Sequence, residues 1–184
     1  VRAKVTAPQL RFGLEAGSSN YRMSDSYEIL VGEDEGIFQY RGKPIQFSLF
    51  EPIYQSQFDS TLESRFARYL DERKAITWWH RVAARQRTEY YLRGWKRERI
   101  WPDFIAMAGQ TEGKPHLLVF ETKGGHLDNP DTDYKRRVFE TLESAFNVGS
   151  MTICDGPARG TFKIIFSEEE FPLALANLED TYST

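Results

Sequence analysis

Apolar residues recur along this chain with two different periods, and the longer period predicts helices. A stripe at the spacing of a one-sided helix runs through residues 60–71, and a second runs through residues 131–147. Their apolar members are Leu62, Phe66, Tyr69 and Leu70 in the first, and Tyr134, Val138, Leu142, Ala145 and Phe146 in the second. Gly149 follows the second stripe as the expected C-cap. A last short helix is expected over 169–178.

Short apolar runs bounded by turn residues predict strands. The predicted strands are residues 27–31, 36–40, 45–50, 76–79, 90–92, 100–108, 116–122, 151–154 and 161–166. The first three belong to a small β-rich extension over residues 1–49. The last two are expected to form a hairpin, because glycine and proline punctuate the residues between them. Residues 50–184 are expected to form the main domain.

The clearest hairpin joins residues 100–108 to residues 116–122 through the polar loop 110–114. The second strand is apolar on both faces over residues 117–120, as in the centre of a sheet that is covered on both sides. Together the elements predict an α/β (α+β) domain with a mixed sheet, in the order helix, β-hairpin, helix, strands.

The hairpin gathers charged residues at one end of its apolar strand. A five-residue loop sets Asp103 opposite Glu121, and opposed residues have Cβ atoms roughly 5 Å apart. Lys123 lies two residues after Glu121 and therefore projects from the same face. Facing carboxylates repel each other unless a cation joins them. Hard oxygen ligands favour Mg²⁺, or Mn²⁺ as a substitute, over zinc.

Such a metal can bind a phosphate oxygen together with a water molecule and lower the pKa of that water. Lys123 would orient the water or stabilise charge on the phosphate. The alternative is a structural salt bridge at a strand edge. We favour the catalytic interpretation because the charges end a core strand, because Pro102 fixes the backbone before Asp103, and because two glycines follow Lys123.

Glu63 has two interpretations. It borders the apolar stripe of the first helix, which predicts a further metal ligand that reaches across to the hairpin. The sequence Ser60-Thr61-Leu62-Glu63 is also a capping box, in which Glu63 would fold back on the helix N-terminus. We predict that Glu63 faces the metal and that Ser60 or Asp59 caps the helix without its help.

Charge and composition narrow the class of protein. The net charge is −3, with 40% hydrophobic and 28% charged residues, so the composition is that of an ordinary globular domain. Between Arg81 and Arg99 there are seven basic and two acidic residues, a stripe that can hold phosphates or can simply be a solvated surface. One cysteine excludes an internal disulfide and fits an intracellular, cytoplasmic protein. No apolar stretch is long enough to span a membrane.

At these residues the sequence resembles the PD-(D/E)xK nuclease superfamily. The motifs are Trp101-Pro102-Asp103-Phe104 and Phe120-Glu121-Thr122-Lys123-Gly124. A wider ordered series resembles the C-terminal nuclease domain of type III restriction enzymes and related helicase–nuclease proteins. That series contains Phe50-Glu51-Pro52, Leu62-Glu63, Tyr69-Leu70-Asp71, Trp78-Trp79-His80-Arg81, Tyr90-Tyr91-Leu92-Arg93-Gly94-Trp95 and Asp131-Thr132-Asp133-Tyr134-Lys135.

The resemblance implies a restriction-endonuclease-like core and a Mg²⁺-dependent DNA endonuclease whose products carry 5′-phosphates. It implies metal ligation by Asp103, Glu121 and Glu63 and a catalytic role for Lys123. We expect the Thr122 carbonyl to be a further ligand. The chain contains no G-x-x-x-x-G-K-[ST] phosphate loop and begins at Val1, so we expect a superfamily 2 helicase or translocase domain elsewhere in a longer protein.

Four basic residues are the expected DNA contacts, namely Arg81, Arg97, Arg99 and Lys135. For Arg81 the alternative is an ion pair with a surface acid while the preceding tryptophans pack in the core. Lys135 would contact DNA or the attacking water. Two other functions stay open: a catalytically silent DNA-binding or interaction domain with the nuclease fold, and a nuclease that acts on RNA.

Overall fold

The computed structural model describes residues 11–12, 31–85, 89–111, 113–124, 129–153 and 156–179. Its helices are α1 (Thr61–Asp71), α2 (Pro130–Asn147) and α3 (Phe171–Glu179). Its strands are β1 (Arg11–Phe12), β2 (Gln39–Tyr40), β3 (Lys43–Pro44), β4 (Ile76–Arg81), β5 (Leu92–Arg93), β6 (Arg99–Ile100), β7 (Phe104–Thr111), β8 (Lys114–Thr122), β9 (Thr152–Ile153), β10 (Gly156–Pro157) and β11 (Arg159–Ile165). Two 3-10 turns cover Gln55–Gln57 and Glu168–Glu170.

A four-stranded mixed sheet in the order β11-β8-β7-β4 forms the centre of the protein. β8 is antiparallel to β7 and parallel to β11, and β7 is antiparallel to β4. Side chains 117–120 of β8 are all buried because helices cover both faces of the sheet. The predicted α/β class with a mixed sheet is therefore confirmed.

Helices α1 and α3 cover one face of the sheet, and α2 covers the other. On the first face the ring of Phe66 packs against Phe104, Phe120 and Phe171, with centroids 5.4, 4.9 and 5.0 Å apart. On the second face the apolar stripe of α2 packs against alternate residues of β7, β8 and β11. Because side chains alternate across a strand, even-numbered residues of β8 face α1 and odd-numbered ones face α2.

The predicted helices agree closely with the structure. Ser60 caps α1 by accepting the Glu63 N–H at 3.2 Å, and Asn129 caps α2. Gly149 has the positive φ of 72° that a C-terminal cap requires.

The central hairpin has the predicted register, with Phe104 paired to Phe120 and Ala108 to His116. Both strands extend further into the loop than expected, because the pairing shifts after Ala108 and continues to Thr111 opposite Lys114. The predicted start of the first strand is wrong, since β7 begins at Phe104 and Ile100 belongs to β6.

The predicted hairpin between residues 151–154 and 161–166 is wrong. β9 pairs with β10, whereas β11 lies parallel to β8 along its whole length. Phe162 and Ile165 of β11 are buried on opposite faces of the sheet, which a strand beside the sheet centre requires. Residues 27–30 of the first predicted strand lie outside the described residues.

The described part of the N-terminal extension shares the core of the main domain. Phe38 and Ile45 pack in the same cluster as Phe66 of α1. Of the strands predicted there, 36–40 is reduced to β2, and 45–50 is wrong, because those residues form only an isolated bridge from Ser48 to Trp79. β3 lies before them, and β2 and β3 form a tight hairpin around Arg41 and Gly42, both with positive φ. None of the helices in the described part of the chain has the length and apolar content that crossing a membrane needs.

Candidate active site

Asp103 and Glu121 meet where β7 begins and β8 ends. Extending the observed register by one residue beyond Phe104 and Phe120 places the two acids opposite each other, as predicted. Oδ2 of Asp103 accepts hydrogen bonds from the Thr122 backbone N–H and hydroxyl, both at 2.7 Å. These bonds fix the Asp103 carboxylate at the end of β8. The other carboxylate oxygen, Oδ1, takes no part in them.

Glu121 is a buried carboxylate, 3% exposed, on the face of the sheet that α2 covers. Its Oε1 accepts from Lys123 Nζ at 2.8 Å and from Lys135 Nζ at 2.7 Å. Its Oε2 is buried, and no donor among the described residues reaches it. Burial and then the negative charge of Asp103 raise the pKa of Glu121, and the two lysines offset only part of that rise.

Lys123 is held by the acids around it. Burial alone lowers the pKa of Lys123, but its hydrogen bond to Glu121 and the charges of Glu121, Asp103 and Asp131 outweigh burial, so the pKa is raised. Burial changes the pKa values of Lys123 and Glu121 to different extents. The Lys123 side chain is about a fifth exposed, whereas the Glu121 side chain is almost completely enclosed. At neutral pH Lys123 is an ammonium group, which can stabilise negative charge but cannot act as a base.

Lys135 connects α2 to this acidic pair. It lies 2.7 Å from Glu121 Oε1 and 3.7 Å from the Asp131 carboxylate one turn earlier on the helix. The side chain is mostly buried. Its predicted contact with DNA or water stays a prediction, but the observed contact already directs its charge at Glu121.

Glu63 is bound to Arg81 on the opposite face of the sheet. Its Oε2 accepts from Arg81 at 2.7 and 3.1 Å and from the Asp59 N–H at 2.9 Å. Burial raises the pKa of Glu63, opposed by Arg81 and reinforced by Asp103. Ser60 caps the helix as predicted, and the carboxylate of Glu63 binds the N–H of Asp59, the residue before the N-cap, rather than that of Ser60. Its metal role stays a prediction.

Arg81 is a buried cation among three acids rather than a surface residue, and the exposed one, Asp59, lies 3.3 Å from its guanidinium. Besides Glu63 it donates to the carbonyls of Val82 and Asp103 at 2.8 and 3.2 Å, and it lies 3.7 Å from Asp103 Oδ1. Of the two interpretations offered for Arg81, this geometry matches the ion pair, but its nearest acid, Glu63, is buried rather than on the surface. The sequence did not indicate which acid it would bind, because Glu63 is eighteen residues away in the chain.

The other predicted DNA contacts, Arg97 and Arg99, are exposed in and beside the loop between β5 and β6. The predicted basic stripe is therefore divided by the fold, with its first residue buried and its last residues on the surface.

Two carboxylate oxygens are suited to a metal ion. Within the part of the chain that the structure describes, Oδ1 of Asp103 has an ion pair with Arg81 at 3.7 Å but accepts no hydrogen bond, and Oε2 of Glu121 is the acceptor that lacks a donor. Among the described residues no group of three or more acidic, histidine or cysteine side chains is arranged as a metal site. Two carboxylates still fit Mg²⁺, which keeps several water ligands and completes its shell with substrate phosphates.

Two histidines that are not among the predicted site residues are buried. His80 Nε2 lies 2.9 Å from Glu89, a buried pair beneath β4. His116 lines a cavity of about 470 Å³ at the other end of β8 from the acidic pair, and its Nε2 lies 2.9 Å from Thr161. Burial, followed by the charge of Arg159, lowers the pKa of His116 to about 4. Neither histidine contacts Asp103 or Glu121.

No protein-family model, curated protein or solved structure matches this chain. Its function must therefore be inferred from the geometry of its own residues.

Proposed function

We propose that this chain is a Mg²⁺-dependent DNA endonuclease domain of the PD-(D/E)xK type with a restriction-endonuclease-like core. A mixed sheet flanked by helices on both faces supports the proposal, since it agrees with the fold that the sequence motifs imply. The position of the motif residues supports it further. Asp103, Glu121 and Lys123 come together at one end of the central hairpin, although eighteen residues separate the two acids.

One observation carries the proposal, namely the buried Oε2 of Glu121. A buried acceptor without a donor costs roughly 1–3 kcal/mol, and more when it is charged. Two lysines bind the same carboxylate, yet both contact the other oxygen. A cation held by the Glu121 and Asp103 carboxylates would remove this cost and would also relieve the repulsion between the two acids.

In this proposal Asp103 and Glu121 hold Mg²⁺, with Glu63 and the Thr122 carbonyl as further predicted ligands. When bound, the ion polarises a phosphate and acidifies a water. The protein's own residues then position the reactants. Lys123 donates to the phosphate oxygen on which charge develops, and Lys135 holds the Glu121 carboxylate in place. Water adds to phosphorus, the bond from phosphorus to the 3′ oxygen breaks, and the products carry a 5′-phosphate and a 3′-hydroxyl.

The test compares Glu121→Gln with Glu140→Gln, the same chemical change at an exposed position of α2. Each protein is incubated with supercoiled plasmid and Mg²⁺ or Mn²⁺, and its melting temperature is measured with and without the ion. We expect metal-dependent nicking and metal-dependent stabilisation in the wild type and in Glu140→Gln, and neither in Glu121→Gln. Equal nicking by all three proteins would show that the activity does not arise from this site.

A non-catalytic nucleic-acid-binding domain is the second candidate function. The observation that favours it is the charge balance without a metal, since Arg81, Lys123 and Lys135 already contact the three acids. DNA binding without nicking or metal stabilisation would support this candidate. Preferential cleavage of RNA would instead favour an RNA nuclease. The helicase or translocase partner and the cytoplasmic location stay predictions that rest on the sequence.

A further inference from the structure

A basic hairpin, defined here as residues 92–100 with strands β5 and β6, carries four cations on its surface. They are Arg93, Lys96, Arg97 and Arg99, and a single acid, Glu98, lies among them. All four are exposed. Within the described residues none of them forms an ion pair with an acid, in contrast to Arg81, Lys123 and Lys135. Their charge is therefore available to an anionic partner.

An exposed tryptophan lies at the turn of this hairpin. Trp95 is 42% exposed, whereas Trp79 is fully buried and Trp78 and Trp101 are packed against the core cluster on the α2 side. The indole ring of Trp95 therefore exposes apolar surface to water and lies outside both core clusters. Cations interleaved with an exposed aromatic ring are the combination with which proteins bind unpaired nucleotides.

The basic hairpin is held rigidly on α2. The Tyr134 hydroxyl accepts a hydrogen bond from the Lys96 N–H at 3.2 Å. The rings of Trp95 and Tyr134 pack edge to face, with their centroids 5.0 Å apart. Gly94 allows this approach, because a Cβ there would lie 2.5 Å from the Tyr134 oxygen. A ring fixed in this way loses little conformational entropy when a ligand stacks on it.

The same contacts place the basic hairpin beside the acidic pair. Tyr134 precedes Lys135, whose ammonium group binds Glu121. Along the chain Arg99 is four residues before Asp103, so their Cα atoms are at most about 14 Å apart. Successive phosphates of one strand are roughly 3.4 Å apart along the axis of a duplex, so this distance corresponds to a few nucleotides.

We propose that the basic hairpin binds single-stranded DNA, with an unpaired base stacked on Trp95 and the neighbouring phosphates on Arg97 and Arg99. The inference rests on the proposed nuclease function for the choice of DNA and names the substrate class of that site. In a duplex the faces of internal bases are covered by their neighbours, so a protruding tryptophan finds no base to stack on. An unpaired strand offers both the base face and the phosphates.

The test measures binding of a fluorescein-labelled oligothymidylate, of an oligoribonucleotide and of a blunt DNA duplex, all of the same length, by fluorescence anisotropy. EDTA is present throughout, so that no cleavage occurs. The wild type is expected to bind the single strand more tightly than the duplex. Trp95→Ala is expected to weaken single-strand binding roughly 5- to 150-fold, the range for loss of one stacked base, and Trp95→Phe to restore part of it. Leu173→Ala, 74% exposed on α3 across the sheet, is the control and should bind like the wild type.

Salt dependence separates the two contributions. Arg97→Ala should reduce the slope of log affinity against log salt by about 0.7, the value for one phosphate contact on a single strand, while Trp95→Ala should leave the slope unchanged. Melting temperatures show whether each variant is folded. If Trp95→Ala does not fold, Trp95→Phe still tests the role of the ring.

Equal affinity for single strand and duplex, an unchanged affinity in Trp95→Ala, or tighter binding of an oligoribonucleotide would overturn this inference. Because the measurement needs no metal, that result would leave metal-dependent plasmid nicking unaffected. Conversely, single-strand binding without metal-dependent nicking would contradict the proposed function and preserve the binding site.

Discussion

The Glu121→Gln variant should be more stable than the wild type at neutral pH when no metal is present. In the folded wild type, burial and the negative charge of Asp103 both disfavour the ionised form of Glu121. They therefore raise the pKa of this carboxyl group. Glutamine has nearly the same shape and needs no charge. Its carbonyl can still accept from Lys123 and Lys135, and the repulsion with Asp103 is gone.

The sign and the size of this effect follow from proton linkage. The folded state keeps the Glu121 proton to a higher pH than the unfolded chain, in which glutamate has a pKa of about 4.3. Between that value and the raised pKa, the folded state binds more protons, so stability falls as pH rises. The slope cannot exceed about 1.4 kcal/mol per pH unit for one group. For a protein of this length that corresponds to roughly 3–5 °C in melting temperature per pH unit.

The assay is denaturant unfolding of both proteins in EDTA from pH 4 to pH 8. The measured quantity is the difference between the two curves, because other groups titrate as well. The raised pKa of Glu63 acts in the same direction. His116 acts in the opposite direction: its pKa of about 4 means that stability is lost as pH falls below the usual histidine range of about 6.5. Both groups are present in both proteins and largely cancel in the difference.

A stability difference that does not change with pH, or a variant that is less stable than the wild type over the whole range, would refute this reasoning. Either result would mean that the two lysines compensate the buried carboxylate fully, and the argument for a missing cation would fail. If the difference appears as expected, Mn²⁺ at about a hundred times its Kd should stabilise the wild type by roughly 2.7 kcal/mol and leave Glu121→Gln unchanged.

Three further predictions follow from the packing and the charges. Arg81→Ala should cost about 3–5 kcal/mol in unfolding free energy, because it leaves the buried Glu63 without its cation, and a loss below 1 kcal/mol would contradict the pairing. Gly94→Ala should cost about 1–3 kcal/mol because the added Cβ collides with α2, whereas Gly36→Ala, with open space around it, should change stability by less than about 0.5 kcal/mol in the same denaturation experiment. Lys123→Ala should abolish plasmid nicking while keeping the metal-induced rise in melting temperature, and nicking at the wild-type rate would remove Lys123 from the mechanism.

The sequence by itself determined the local elements and the pairing of the central hairpin. The stripes of α1 and α2 are set by the helical period, and Ser60 and Gly149 mark helix ends because their side chain or backbone satisfies groups that the helix leaves unpaired. Asp103 falls opposite Glu121 because the register of a hairpin depends on its loop and on residues close in the chain.

Contacts between distant segments were decided only by the tertiary structure. A strand such as β11 can pair with β9 nearby or with β8 across a helix, and the choice depends on which partner buries both of its faces. The acid that Arg81 binds was undetermined for the same reason, since α1 and β4 are brought into contact by tertiary packing. Glu63 could be assigned a cap or a ligand from its spacing, but its burial against Arg81 depends on the packing of α1. Alternation and helical period specify the face of a side chain within its own element, whereas the partner on that face is specified by how the elements pack together.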